Sequence, residues 1–159
     1  MGYYDEIANS YNSLYGEEQL RKFYIINSYL KVKKSFIILD VGCGTGLITK
    51  RWCCNVIGID PSLKLLLKAT HGIYINAKAE FLPFKDNCFD IVVSITSIQN
   101  FEDVGKALQE IKRVGKRFFV ITVLKKSYKK DKIIFYIKKL FKINKMIEDK
   151  HDLIFFLQK

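Results

Sequence analysis

The feature that most constrains this chain is the run Ile37-Ile38-Leu39-Asp40-Val41-Gly42-Cys43-Gly44-Thr45-Gly46. In it a short apolar segment delivers an acidic residue and then three glycines within five positions. A continuous apolar run stopped by glycines is the pattern of a strand buried on both faces. Glycines at this density let the backbone turn sharply and let a ligand lie against it with no Cβ in the way. A helix expected over Leu47–Cys53 would add free N–H groups at its start, which suit anionic or carboxylate-bearing ligands. Loops of this kind serve nucleotide cofactors generally.

Similar apolar runs recur at Val56-Ile57-Gly58-Ile59-Asp60, Ile73-Tyr74-Ile75, Phe89–Ile95 and Arg117–Val123. Helical stretches are expected between most of them, at Leu47–Cys53, Ser62–Lys68 and Val104–Val114. Strand and helix in alternation imply a parallel sheet covered on both sides, so the fold class is α/β, a Rossmann-like doubly wound and mostly parallel sheet. Before the core, Tyr4, Ile7, Ala8, Tyr11, Leu14 and Tyr15 recur at helical spacing, and Gly16 is expected to end that helix. A second helix is expected from Glu17 to Leu30. After the core, Ser127–Phe141 reads as a basic amphipathic helix. Leu153–Leu157 reads as a closing antiparallel strand, with Ile143–Glu148 as its hairpin partner across Asp149-Lys150-His151.

Two departures narrow the ligand. A dinucleotide fingerprint counted from Gly42 requires glycine at position 47, where Leu47 stands. A phosphate-binding loop of the Walker type requires Gly-Lys-Ser/Thr, a triplet that does not occur. Asp60 closes the second strand, where a carboxylate can accept hydrogen bonds from both hydroxyls of a ribose. Loop and acid together point to an adenosine-type ligand.

The stretch Leu39–Gly46 resembles the first motif of class I methyltransferases that use S-adenosylmethionine (SAM), and Gly58-Ile59-Asp60-Pro61-Ser62 resembles the second. Ala79-Glu80-Phe81-Leu82-Pro83-Phe84-Lys85-Asp86-Asn87-Cys88-Phe89-Asp90 is similar to a run of the type 11 branch. The resemblance implies the class I methyltransferase fold and SAM as cofactor. It implies that Asp40 and the backbone of Gly42, Cys43, Gly44, Thr45 and Gly46 border the methionine part. Asp60 would hold the ribose, with Pro61 and Ser62 beside the adenine and Ala79 and Glu80 at its edge. Ser94 and Ile95 would lie under the sulfonium. Lys78 stands where the branch often has Asp, and a charged lysine cannot accept the adenine amino group. The segment Tyr3–Tyr11 resembles a helix over the SAM site, with Tyr11 a candidate lid. Gln99 and Asn100 are the other substrate-side candidates, and the catalytic group is left open. Ser94–Phe101 is also similar to part of the guanine-N7 methyltransferase of small-subunit ribosomal RNA. Relatives of that enzyme use a small zinc-binding activator subunit.

Composition sets the remaining expectations. The 159 residues fit one domain, with N-terminal helices over residues 1–31 and a core over 32–159. Hydrophobic residues make up 49%, enough for a core, yet no apolar run reaches the length of a membrane helix. The acidic start, Tyr3-Tyr4-Asp5-Glu6, is no secretory leader, so a cytoplasmic, near-minimal catalytic fold is expected, as a monomer or small homo-oligomer. Cys43, Cys53, Cys54 and Cys88 lack metal-ligand spacing and are expected to be reduced thiols, with no metal site. Residues 106–159 carry 16 Lys or Arg against 5 Asp or Glu, which accounts for the whole net charge of +11. Such asymmetry suits a polyanion such as RNA, engaged through Lys129, Lys130, Lys138 and Lys139. A small-molecule methyltransferase with a solvated lysine face, and a non-catalytic SAM-fold module, are the alternatives.

Overall fold

The computed structural model describes residue 6, residues 11–70 and residues 72–159 of the chain. Strands β1 (Ile37–Val41), β2 (Asn55–Asp60), β3 (Ile73–Asn76), β4 (Phe89–Ser94) and β5 (Gly115–Leu124) run parallel. Strands β6 (Lys142–Glu148) and β7 (Asp152–Gln158) form a hairpin, and β7 pairs antiparallel with β5. The order across the sheet is β3-β2-β1-β4-β5-β7-β6. The chain therefore steps outward from β1 to β3, then returns to the other side of β1 to begin β4. Ligands of open α/β sheets gather at such a reversal, beyond the carboxyl ends of the strands.

Side chains alternate across the sheet, as strand geometry requires. Leu39, Val41, Val92, Phe119 and Ile121 face α3 (Val104–Val114) and α4 (Lys130–Leu140), whose Leu108, Ile111, Ile133 and Ile137 are buried against them. On the opposite face Ile38, Ile91, Val93, Val120 and Ile154 meet Phe23 and Ile26 of α1 (Tyr11–Tyr29). Apolar residues on both faces of the central strands explain their unbroken hydrophobic runs. The edge strand β6 exposes Lys142, Asn144, Lys145, Met146 and Glu148, and charge on an edge discourages pairing with another chain.

Two helical expectations differ from the structure. Gly16 does not end a helix; it lies inside the continuous α1. Glycine costs a helix about 1 kcal/mol relative to alanine, less than burial of Phe23 and Ile26 returns. The part of the expected first helix at residues 3–5 and 7–10 lies outside the described residues. The helix expected over Leu47–Cys53 is a single 3₁₀ turn, Thr49–Arg51. Only eight residues separate Gly46 from β2, too few to offset the cost of starting a helix. Trp52 instead packs edge-on against Phe23, with ring centroids 5.0 Å apart, so α1 covers this part of the sheet. The shortened segment leaves an open groove of about 510 Å³ beside β2 and β3, lined by Thr49, Lys50, Trp52 and Ile73 among others.

A Cβ built on Gly16 has its nearest neighbour, Leu47 Cδ2, at 3.6 Å, an ordinary contact. Gly16→Ala is therefore expected to raise stability by about 0.5–1 kcal/mol. Urea unfolding checks this; a lowered midpoint would show that α1 needs glycine there.

Candidate active site

The glycine loop is tied to the end of β2 at three points. The N–H groups of Gly42 and Cys43 both donate to the Ile59 carbonyl, at 2.8 and 2.9 Å. The Gly44 N–H donates to Asp60 Oδ2 at 2.9 Å. The other Asp60 oxygen accepts from the Ser62 N–H at 2.8 Å, so the carboxylate is oriented by backbone on both sides. Gly42, Gly44 and Gly46 have φ of 79°, 57° and 70°, the left-handed region that side chains disfavour. Gly42 has a second constraint, because Ser97 occupies the space its Cβ would fill. Ser97 Oγ donates to the Val41 carbonyl at 2.9 Å and lies 2.7 Å from Ser94 Oγ, which joins the ends of β1 and β4.

Asp40, at the end of β1, is fully enclosed. Burial pushes its carboxyl up to about 6, an effect opposed by the hydrogen bond from Thr49 Oγ1 at 2.7 Å and reinforced by the charge of Asp60. A buried carboxyl balanced near neutrality gains from any cation placed beside it. Burial, with Asp40 and Asp60 nearby, also raises the Cys43 thiol well above its ordinary range, so Cys43 stays protonated and inert.

Beyond the strand ends lie two adjoining cavities of about 80 and 70 Å³. Six of the expected site residues line them: Gly42, Asp60, Pro61, Ala79, Glu80 and Asn100. Ile59, Leu65, Ala77 and Phe101 add apolar wall suited to a flat ring. Thr96, Ser97 and Glu102 also line them; Thr96 and Ser97 belong to the Ser94–Phe101 segment singled out in the sequence, whereas Glu102 had no sequence signal. They sit in the β4–α3 connection, and only folding brings that segment over the glycine loop.

Other expected residues are used differently. Glu80 Oε1 accepts the Asp103 N–H at 3.1 Å, at the start of α3. Ser62 caps α2 (Leu63–Leu66) through its Oγ and the Leu65 N–H. Thr45 Oγ1 donates to Asn12 Oδ1 at 2.6 Å, which ties α1 to the loop. Ser94 is buried beneath Ser97, whereas Ile95 turns to the opposite face and packs in the Phe23 cluster. Gln99 folds back to donate to the Thr96 carbonyl at 2.9 Å. Tyr11 begins α1, but its side chain lies outside the described residues. Lys78 forms an ion pair with Glu102 at 2.6 Å, which raises the pKa of the lysine and joins two walls of the first cavity. Among the described residues no three His, Cys, Asp or Glu side chains gather as metal ligands. Likewise, no described helix is long and apolar enough to cross a membrane.

The chain is thus an open α/β sheet with a left-handed glycine loop at its reversal point and an acid closing the next strand. The sequence of residues 39–118 matches the type 11 methyltransferase-domain family, and the chain belongs to that family. The uncharacterized protein MJ1252 of Methanocaldococcus jannaschii is 36% identical over 76% of this chain and 50% of its own length. A malonyl-[acyl-carrier protein] O-methyltransferase of Buchnera aphidicola is 36% identical over 58% of this chain and 40% of its own. The chain thus spans about half the length, or less, of the curated relatives it matches. Among solved structures, a Haloferax volcanii methyltransferase in complex with the Trm112 activator superposes with a TM-score of 0.84. That match covers 99% of this chain and 98% of that one, at 14% identity, a likeness of fold.

The raised Asp40 carboxyl sets a pH dependence. Its folded value of about 6 exceeds the ordinary 3.8, so its contribution to stability is complete below pH 3.8 and is lost as pH rises through 6. The difference amounts to at most about 3 kcal/mol. Asp40→Asn should gain stability relative to wild type between pH 4 and pH 7, measured by urea unfolding at both values. A gap that does not change with pH would place the Asp40 carboxyl near its ordinary value.

Proposed function

We propose that the chain binds SAM on the glycine loop and transfers its methyl group to RNA or a ribosome-associated macromolecule. The cofactor half of this reading rests on the donor set. Asp40 would offer a buried negative charge to the cationic methionine end, and Asp60 would accept from the ribose hydroxyls. Ile59, Pro61, Leu65, Ala79 and Phe101 would hold the adenine against apolar surface. When bound, SAM supplies a methyl group already activated on a sulfonium, so no acid or base from the chain is required. The chain's own contribution is to bind, align and exclude water.

The observation that carries the acceptor half is the docking of α4 on the rim of the site. Lys129 Nζ donates to the Phe101 carbonyl at 2.7 Å, which fixes the start of the basic helix beside the cavity wall. Lys129 is thereby committed within the fold, as Lys125 is by its ion pair with Glu148. Among the described residues Lys126, Lys132, Lys138 and Lys139 meet no carboxylate within 4.0 Å, and all four are exposed. Tyr128 and Phe135 stand exposed among them, at 91% and 60%. Unpaired cations interleaved with exposed aromatics suit a flexible polyanion with stackable bases. The Haloferax methyltransferase solved with its activator supports a small activator subunit as a partner here.

A small-molecule or carrier-bound acceptor is the second reading, favoured by the likeness to the Buchnera O-methyltransferase. Incubation with methyl-labelled SAM and separated RNA, protein and metabolite fractions decides between them. Label is expected in RNA, and label confined to metabolites would replace the first reading with the second. Neutralising Lys126, Lys132, Lys138 and Lys139 together should weaken RNA binding at least tenfold at about 0.1 M salt and flatten its salt dependence. Asp60→Ala should weaken SAM binding by about 2 kcal/mol, roughly thirtyfold in calorimetry. A folded wild-type chain that binds no SAM would favour the non-catalytic module.

A further inference from the structure

Lys22, in the middle of α1, is completely buried. Its ammonium touches three oxygens from three parts of the chain. These are Glu18 Oε1 at 2.6 Å, one turn earlier in α1; Asp152 Oδ2 at 2.5 Å, at the start of β7; and Thr96 Oγ1 at 2.8 Å, after β4. Asp152 is also fully buried, and its contact with Lys22 is ionic, lying off the hydrogen-bond direction. Such a pair is costly to desolvate and is weak evidence for stability on its own.

The partner that stands out is Thr96. It has a φ of 60°, a conformation that a β-branched residue adopts only when its surroundings impose it. Three groups hold it there. Its N–H donates to Thr122 Oγ1 at 2.7 Å, its carbonyl accepts from Gln99 Nε2 at 2.9 Å, and its hydroxyl accepts from Lys22. The next residue is Ser97, which fills the notch over Gly42 and bonds the end of β1. Thr96 and Ser97 both line the cavity that contains Gly42 and Asp60. The reversal at Thr96 therefore shapes the floor of the site.

We propose that Lys22 is a positioning residue, whose ammonium, seated by Asp152, holds Thr96 left-handed and so keeps Ser97 and the pocket floor in place for the cofactor. The helix over the sheet and the base of the site are thereby coupled through one buried charge. This inference rests on the reading of the cavity as the SAM site.

The test is SAM affinity by calorimetry on the full chain, with the fold followed by circular dichroism. Lys22→Met with Asp152→Asn removes both charges together, so neither is left buried alone. SAM affinity is expected to fall at least tenfold. Adding Thr96→Gly, which supplies the left-handed conformation without support, is expected to recover at least fivefold of that loss; a role in packing alone predicts a further decline. Thr96→Val leaves the ion pair intact and removes only the hydroxyl, so it keeps the test open if the double variant does not fold. It too should lose at least tenfold. Wild-type affinity in the folded double variant or in Thr96→Val, or no recovery with Thr96→Gly, overturns the proposal while leaving the cofactor reading intact. Absence of SAM binding by wild type overturns both.

Discussion

The site depends on the clasp between the glycine loop and the end of β2. The Ile59 carbonyl takes the N–H groups of Gly42 and Cys43, and the Asp60 carboxylate takes that of Gly44 while Ser62 holds its other side. Four backbone donors are satisfied within a few residues, so the loop is fixed without a following helix to anchor it. The same contacts orient Asp60 and place Pro61 against the cavity. With the loop held this way, the β4–α3 connection can close over it through Ser97. Without the clasp, neither wall of the cavity would have a fixed partner.

Around this centre the structure keeps an unusual share of buried charge. Asp40 sits under the loop with a carboxyl balanced near 6, and Lys22 and Asp152 meet beside Thr96. Buried ionisable groups are costly, and natural folds retain them where a site requires fixed charge or a fixed conformation. Both occur at the carboxyl ends of the strands, beside Thr96 with its left-handed backbone. Both faces of the sheet are aliphatic and aromatic instead.

How much was legible in the sequence follows from the range of the forces involved. Strand runs such as Ile37–Val41 and Phe89–Ser94 announce themselves, because burial on both faces demands unbroken apolar residues. The glycine loop and Asp60 are equally visible, since a left-handed backbone and a strand-end carboxylate are written in residue type. Gly16 misled for the same local reason: its low helix propensity is real, yet burial of Phe23 and Ile26 outweighs it. The Leu47–Cys53 segment has helical residues but too little length before β2. Ile95, next to Ser94 in sequence, points to the opposite face, a consequence of strand alternation that motif likeness alone does not convey. Glu80 and Ser62 matched their motifs and proved to hold backbone N–H groups as well.

The sequence by itself determined the α/β class, the position of the glycine loop, the acid at the end of β2 and the basic final third. Each is a matter of residue type at short range: apolar runs, glycines, a carboxylate at a strand end, lysines against few acids. Only the tertiary structure decided that Lys22 and Asp152, 130 positions apart, meet beneath Thr96. It also decided that Ser97 closes over Gly42, that Lys78 pairs with Glu102, and that Lys129 docks the basic helix at the rim. These are long-range contacts between polar groups, and no local periodicity encodes them. They exist because the sheet brings the ends of β1 and β4 and the start of β7 to one rim, where polar groups excluded from the apolar core must find one another.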